Sequence, residues 1–386
     1  GYYALDVTNP LAPKLLWEFK VRKPSETSCA ITTAEAVGAT DDCDLGLTYG
    51  NPILSKFNGQ WVVFVTSGYN NTGEEPGGTA RQGDGKGYLY ILNAVTGAII
   101  KKIGTGVGDG GTAGASYTDA NPSGLARINN WVDNALLNNT TTAVYGGDLK
   151  GNLWRFDLDS ASSSYLTAVK VATLTTGVTP QPITTKPELG MISTYHVVFV
   201  ATGKFLGVSD KTDTTGQTIY AIKDDLNTNV PVTSRTPLVQ QSLISGTTTR
   251  SATANPVDWT DPAIRGWYVD LPDSGERVSV DPQLQLGSLI VASNVPSTDT
   301  CTAGGYAWIN TFDYKTGSYI TSDSGNIAST KLSSSVVVGI NVIQLPGGAV
   351  KAIVTTADNQ QLSQETPVAA TTFQGKRVSW REITTD

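Results

Sequence analysis

The chain of 386 residues contains one histidine, one methionine and three cysteines. A single imidazole, His196, argues against His-rich metal sites and against Ser/His/Asp catalysis, and reads as a structural histidine in an apolar strand. No two cysteines are adjacent, and none forms a C-x-x-C pair, so a cysteine metal site is disfavoured. No apolar run is long enough to span a bilayer, and no signal peptide is visible. Positive charge is also short: 27 lysines and arginines face 34 acids, a net charge of -7. That balance argues against nucleic acid or an anionic membrane as the main partner. G-x-S-x-G and Walker A patterns are missing. Gly106, Gly108 and Gly111 match G-x-G-x-x-G, but no amphipathic helix follows, so a flexible loop is expected there instead of a dinucleotide site.

What is present is Gly, Thr, Ser, Val and aromatics, a composition of short strands joined by turns. The segment Tyr145–Leu158 reads as a tight turn at Asp148–Gly151 feeding a strand. Trp154 and Phe156 fall on one face of that strand, and Leu153, Arg155 and Asp157 on the other. Related segments recur at Gly87–Asn93, Gln217–Lys223 and Ala307–Asp313, and at Gly1–Asp6 if one residue is missing before it. Two copies continue into a D/N-x-x-T-G turn, Asn93–Gly97 and Asp313–Gly317, where the first side chain caps the turn and Gly takes positive φ. Apolar strands precede the Gly-led ones at Trp61–Gly68 and His196–Gly203, with further copies at 289–293 and 351–356. Proline-led segments at Asn51, Gln181 and Asp281 suit the first residue of a strand.

A recurring three-strand unit of this kind is a blade of a β-propeller, and the fold class expected is an all-β, modified propeller in one domain over residues 1–386. A β-sandwich pair is the alternative. Wide spacing between Gly-led strands places insertions at 21–48, 70–86, 104–121 and 226–262. Gly1–Phe19 carries a Gly-led strand and Val336–Thr355 supplies the earlier types, so the termini are expected to meet in one blade. In the first insertion, a disulfide between Cys29 and Cys43 would suit an exported chain and contribute about 2–3 kcal/mol. Two free thiols are the alternative. Asp41, Asp42 and Asp44 read as a solvated loop. Tyr69–Asn71 and Trp259 read either as partner contacts or as covers for blade edges.

The segment YGGDLKGNLWRFDL resembles the signature of the C-terminal domain of PilC/PilY-type proteins of type IV pili. Stretches at 1–19, 66–97, 201–225, 265–282, 295–301 and 376–382 agree with it in order. The resemblance implies a propeller of roughly seven blades. It implies a non-enzymatic module of pilus biogenesis and tip adhesion, acting in pilus assembly, retraction control and surface attachment. Location would be extracellular, at the pilus tip or outer-membrane surface. Partners would be minor pilins, an adhesive module N-terminal to Gly1 in a longer polypeptide, and a host or abiotic surface.

The resemblance also implies a calcium loop before the central strand. Here that stretch offers Asp133, Asn134, Asn138 and Asn139 as ligands, with Ala135, Leu136 and Leu137 in the middle and Thr142 where an acid is expected. One carboxylate and neutral amides supply little charge, so a degenerate loop, Leu136 and Leu137 packed inward, and weak or absent Ca2+ binding are expected. No other cofactor is expected. The repeat also resembles quinone-dependent dehydrogenase propellers; an enzyme of that class is the alternative function, although the adjacent cysteines often found in those enzymes are missing.

Overall fold

The Gly-led aromatic segments all form strands, each paired antiparallel with at least one neighbour along the chain. The computed structural model describes residues 1–22, 36–72, 83–110, 121–135, 137–226, 230–297, 304–322, 325–332, 335–345 and 349–369. Among these residues six main sheets follow one another along the chain. The first contains β1 (Tyr2–Asp6), β2 (Lys14–Val21) and the short β3 (Asp41–Asp42). The second is the meander β4 (Ile53–Phe57), β5 (Gln60–Thr66), β6 (Tyr88–Asn93) and β7 (Ile99–Gly104). The third is β8 (Ile128–Asn134), β9 (Asn138–Gly147), β10 (Asn152–Asp157) and β11 (Thr167–Thr173), joined to the second by one Lys56–Thr140 pairing. A small hairpin, β12 (Thr175–Thr176) and β13 (Thr179–Pro180), follows.

The fourth sheet orders β14 (Glu188–Ile192), β15 (Tyr195–Ala201) and β16 (Thr218–Asp224) against a later strand. A 3-10 turn at Val208–Thr212 lies between β15 and β16. The stretch expected to be a decorating insertion instead holds β17 (Leu238–Gln241), β18 (Leu243–Ser245) and β19 (Thr249–Ala252), followed by β20 (Gly266–Asp270). β20 pairs with β16 and, in parallel, with β17. The fifth sheet is β21 (Gln283–Gln285), β22 (Ser288–Pro296), β23 (Gly305–Asp313) and β24 (Ser329–Leu332), extended by β19 and β18. The sixth is β25 (Val337–Gln344), β26 (Val350–Thr356) and β27 (Gln361–Thr366).

Period-two alternation makes every middle strand two-faced, and the sheets stack by those faces. On β10, Trp154 and Phe156 enter the core shared with the second sheet, while Leu153 enters the core shared with the fourth. Five such cores lie between the six successive sheets. A fully buried ring such as Phe64 or Phe199 contributes about 1.5–3 kcal/mol relative to exposure.

The two D/N-x-x-T-G turns form as expected. Asn93 Oδ1 accepts from the amides of Val95 and Thr96, and Asp313 Oδ1 from those of Lys315 and Thr316. Gly97 and Gly317 have φ of 71° and 69°. Their second role was not legible locally: each seats an indole from the preceding sheet. A Cβ on Gly97 would lie 2.7 Å from the Trp17 ring, and one on Gly317 would lie 2.5 Å from the Trp267 ring. Trp17 Nε1 donates to Ala94 O at 2.9 Å, and Trp267 Nε1 to Tyr314 O at 3.1 Å.

The terminal segments do not share a blade among the described residues. β26 pairs with β27 on one side and β25 on the other, while β1 pairs only with β2. Both edges of β26 are taken by its own chain neighbours β25 and β27, which leaves β26 no edge for β1.

Candidate functional site

The signature turn is organised by a carboxylate. Asp148 is fully buried and accepts from the amides of Lys150 and Asn152, the Asn152 side chain and Trp154 Nε1, at 2.8–3.2 Å. Burial pushes its carboxyl above the ordinary value, with the donors opposing. Gly151, at φ 74°, turns the chain into β10, where a Cβ would collide with Leu174 O.

From β10, Arg155 crosses to the fourth sheet. Its Nη1 donates to both oxygens of Asp224 at 2.7 and 2.8 Å, and Tyr145 Oη donates to the same carboxylate at 2.8 Å. All three are buried. Burial and the adjacent Asp224 charge push the Tyr145 phenol well above its usual range. A buried arginine needs such a partner, since leaving it unpaired costs several kcal/mol.

Beside this pair lies a cleft of two adjoining lobes, the first between the third and fourth sheets and the second along the fourth sheet and the loop before β20. One lobe, about 610 Å³, is lined by Asp133, Thr142, Arg155, Asp157, Asp159 and Ser162. The other, about 350 Å³, is lined by Tyr195, Lys223, Asp224, Asp225, Thr260 and Arg265. His196 and Leu226 line both lobes. The His196 ring stacks on Trp131, centroids 3.8 Å apart and planes 20° apart. Its Nδ1 is buried and finds no hydrogen-bond partner among the described residues, and burial lowers its pKa below the ordinary value despite the nearby Asp224 and Asp133 charges. The histidine is thus structural in part and cleft-lining in part.

A second cavity of about 170 Å³ is lined by Tyr49, Tyr69, Ala126, Arg127, Phe205 and Leu206, drawn from loops of several sheets. Behind it Arg127 pairs with Asp281, which also accepts from the Lys186 amide at 2.8 Å. Tyr69 therefore lines a cavity, whereas its neighbour Asn71 is buried and donates to Asp44 O and Lys86 O. Trp259 covers a sheet: it is buried, with Nε1 on Lys315 O at 2.8 Å.

The stretch named for calcium is a β-hairpin. Asn134 pairs across it with Asn138. Asp133 Oδ1 accepts from Trp131 Nε1 at 2.9 Å, and Asn138 Oδ1 accepts from the amide and hydroxyl of Thr140. Asn139 is exposed, and its carbonyl accepts from Ser55 Oγ. Asp133 and Asn134 thus lie on one strand of the hairpin and Asn138 and Asn139 on the other. Leu137 does not pack inward; it is 85% exposed at the hairpin tip, and Leu136 lies outside the described residues. Among the described residues, no group of three or more His, Cys, Asp or Glu is arranged to hold a metal ion.

The Asp41–Asp44 loop is not solvated. Asp42 and Asp44 are buried, with Lys102 Nζ 2.9 Å from Asp42 Oδ1 and 2.6 Å from Asp44 Oδ2. Lys102 also lies 4.2 Å from the Tyr88 ring centroid. Cys43 is buried and disulfide-bonded; Cys29, named above as its partner, lies outside the described residues, as do Cys301 and Gly111. A further buried pair, Arg250 with Glu276 at 3.0 Å, sits under the Trp308 ring. None of these cations was singled out from the sequence, because each partner is remote: Lys102 is 58 and 60 residues from its acids.

The family model described as the PilY1 beta-propeller domain matches residues 1–255. Type IV pilus biogenesis factor PilY1 of Pseudomonas aeruginosa is 28% identical over 369 residues, covering 82% of this chain and 28% of that protein. A PilY1 homolog of Xylella fastidiosa is 27% identical over 407 residues, covering 99% of this chain and 29% of that protein. The chain thus spans under a third of the length of these relatives. The crystal structure of the P. aeruginosa PilY1 C-terminal domain superposes with a TM-score of 0.68 at 22% identity, covering 95% of this chain and 78% of that one. The fold is accordingly a modified β-propeller.

Proposed function

The chain belongs to the PilY1 β-propeller family, and from that membership we propose that it is a non-enzymatic module of type IV pilus biogenesis. In this reading it supports pilus assembly, opposes retraction and contributes to surface attachment. It acts outside the cell, at the pilus tip or on the outer-membrane surface. Its partners are minor pilins and an adhesive module elsewhere in a longer polypeptide. The observation that carries the proposal is the family match over residues 1–255, reinforced by relatives named as pilus biogenesis factors. The mixed-charge, two-lobed cleft beside the fourth sheet supports it too, since Asp133 and Asp159 in one lobe and Lys223 and Arg265 in the other offer a polar segment of a partner both donors and acceptors.

Deletion of the gene in its host should reduce surface pili, twitching and attachment, and complementation should restore them. A deletion strain normal in all three would overturn the pilus role. Dye-linked alcohol oxidation by the purified protein supplied with quinone and calcium should be absent; turnover would instead establish the dehydrogenase reading.

A further inference from the structure

We propose that the cavity lined by Tyr49, Tyr69, Phe205, Leu206 and Arg127 binds a carboxylate joined by a short link to one aromatic ring, presented by a free aromatic acid or by the carboxyl end of a polypeptide. Loops of four successive sheets build this site. Tyr49 precedes β4, Tyr69 follows β5, Arg127 precedes β8, Leu206 follows β15 and Ser279 precedes β21. Arg127 pairs with Asp281, which joins the third sheet's loop to the fifth's, although those two sheets share no core. Sheets two apart in a propeller approach each other only around its axis, so the cavity lies near one end of that axis.

The walls are held in place by the fold itself. Leu47 and Tyr69 exchange both backbone hydrogen bonds, at 2.7 and 2.8 Å, and the Tyr49 ring lies 6.0 Å from the Tyr69 ring at 34°. Thr66 Oγ1 donates to Ala126 O at 2.8 Å, beside Arg127. Volume limits the ligand: about 170 Å³ is close to the roughly 150 Å³ of an apolar cavity that admits benzene, and below the roughly 300 Å³ where drug-sized sites begin. Chemistry limits it further. Tyr49, Tyr69, Phe205 and Leu206 supply an apolar wall, with Tyr49 46% and Leu206 39% exposed. Arg127 Nη1 donates to Asp281, while its Nε and Nη2 have no acceptor among the described residues. Those N–H groups are the fork that matches a carboxylate. Asp281 offsets part of the charge, but its other oxygen is turned to the Lys186 amide. Ser279 Oγ accepts from Asn294 Nδ2 at 3.2 Å, and its own proton has no acceptor among the described residues. Aromatic walls alone would suit a quaternary ammonium, but the guanidinium beside them repels a cation and selects an anion.

The test titrates the 386-residue chain with 3-phenylpropionate, followed by ligand-detected NMR. The acid should bind saturably, at about millimolar or tighter for so small a ligand, with its ring protons close to Tyr49 and Tyr69. The amide 3-phenylpropanamide keeps the shape, loses the charge, and should bind roughly ten-fold more weakly. Arg127→Lys keeps a cation for Asp281 but removes the fork; it should weaken the acid roughly ten-fold and leave the amide unchanged. Leu206→Trp fills the cavity from an exposed position, so it should abolish both while keeping the wild-type unfolding midpoint. A Gly-Gly-Phe peptide with a free carboxyl end that binds more tightly than the acid assigns the site to a chain end; weaker binding assigns it to a free acid. The proposal is overturned if acid and amide bind alike, if tetramethylammonium displaces the acid, or if neither acid nor peptide binds. The site does not rest on the pilus role, so failure here would leave that role untouched.

Discussion

At the scale of single residues, two glycines hold positions no other residue fits. Gly97 and Gly317 combine positive φ with an indole face within 2.7 Å of where a Cβ would lie. Gly97→Ala and Gly317→Ala should each destabilise the fold by about 1–3 kcal/mol, read as a lower denaturation midpoint with an unchanged slope. Alanine at Gly59, where nothing approaches within 4 Å but φ is also positive, isolates the backbone share of that cost. His196 gives a second residue-scale prediction. Burial lowers its folded pKa, so the unfolded chain takes up a proton first as pH falls. Stability is therefore whole above about pH 6.5 and declines as pH drops from there toward the lowered folded value. His196→Gln should flatten that decline, measured as the wild-type minus variant midpoint between pH 7 and pH 5. Equal slopes in the two proteins would show that the imidazole is not held neutral.

At the scale of elements, the β8–β9 hairpin is the informative case. Its residue types suggest ion ligands, but Asp133 already accepts from Trp131 and Asn138 from Thr140 within the hairpin. Calorimetry on chelator-treated protein should detect no micromolar Ca2+ binding, and Asp133→Ala should change nothing in the titration. A micromolar constant lost in that variant would restore the calcium loop. Strands and turns of this chain were largely legible because their causes are local: alternation in Trp61–Thr66, an Asn side chain capping its own turn at Asn93. The acids at 42 and 44 were misread as solvated because Lys102 reaches them only after the second sheet has folded beside the first. The cleft was invisible for the same reason: His196, Asp133 and Arg265 lie on three separate elements with no periodicity to announce their meeting.

At the scale of the whole molecule, neighbouring sheets are joined by apolar faces and, at some junctions, by a buried cation. Lys102 spans the first and second sheets, and Arg155 the third and fourth. Lys102→Met leaves two buried carboxylates without their partner and should cost about 3–5 kcal/mol. Adding Asp42→Asn and Asp44→Asn should recover a good part of that loss, a coupling read from a mutant cycle by chemical denaturation. Additive losses across the three sites would mean that the charges act independently.

The indole seated on each glycine has a mechanical consequence. Trp17 on Gly97 and Trp267 on Gly317 are contacts between adjacent sheets whose attraction decays within an ångström or so of separation. A pull that slides one sheet past the next meets the resistance of these seats at once and loses that share of it as soon as the ring has left. Joints of this kind are stiff and brittle: the molecule would carry a tether's load with little extension up to a threshold, then yield one junction at a time.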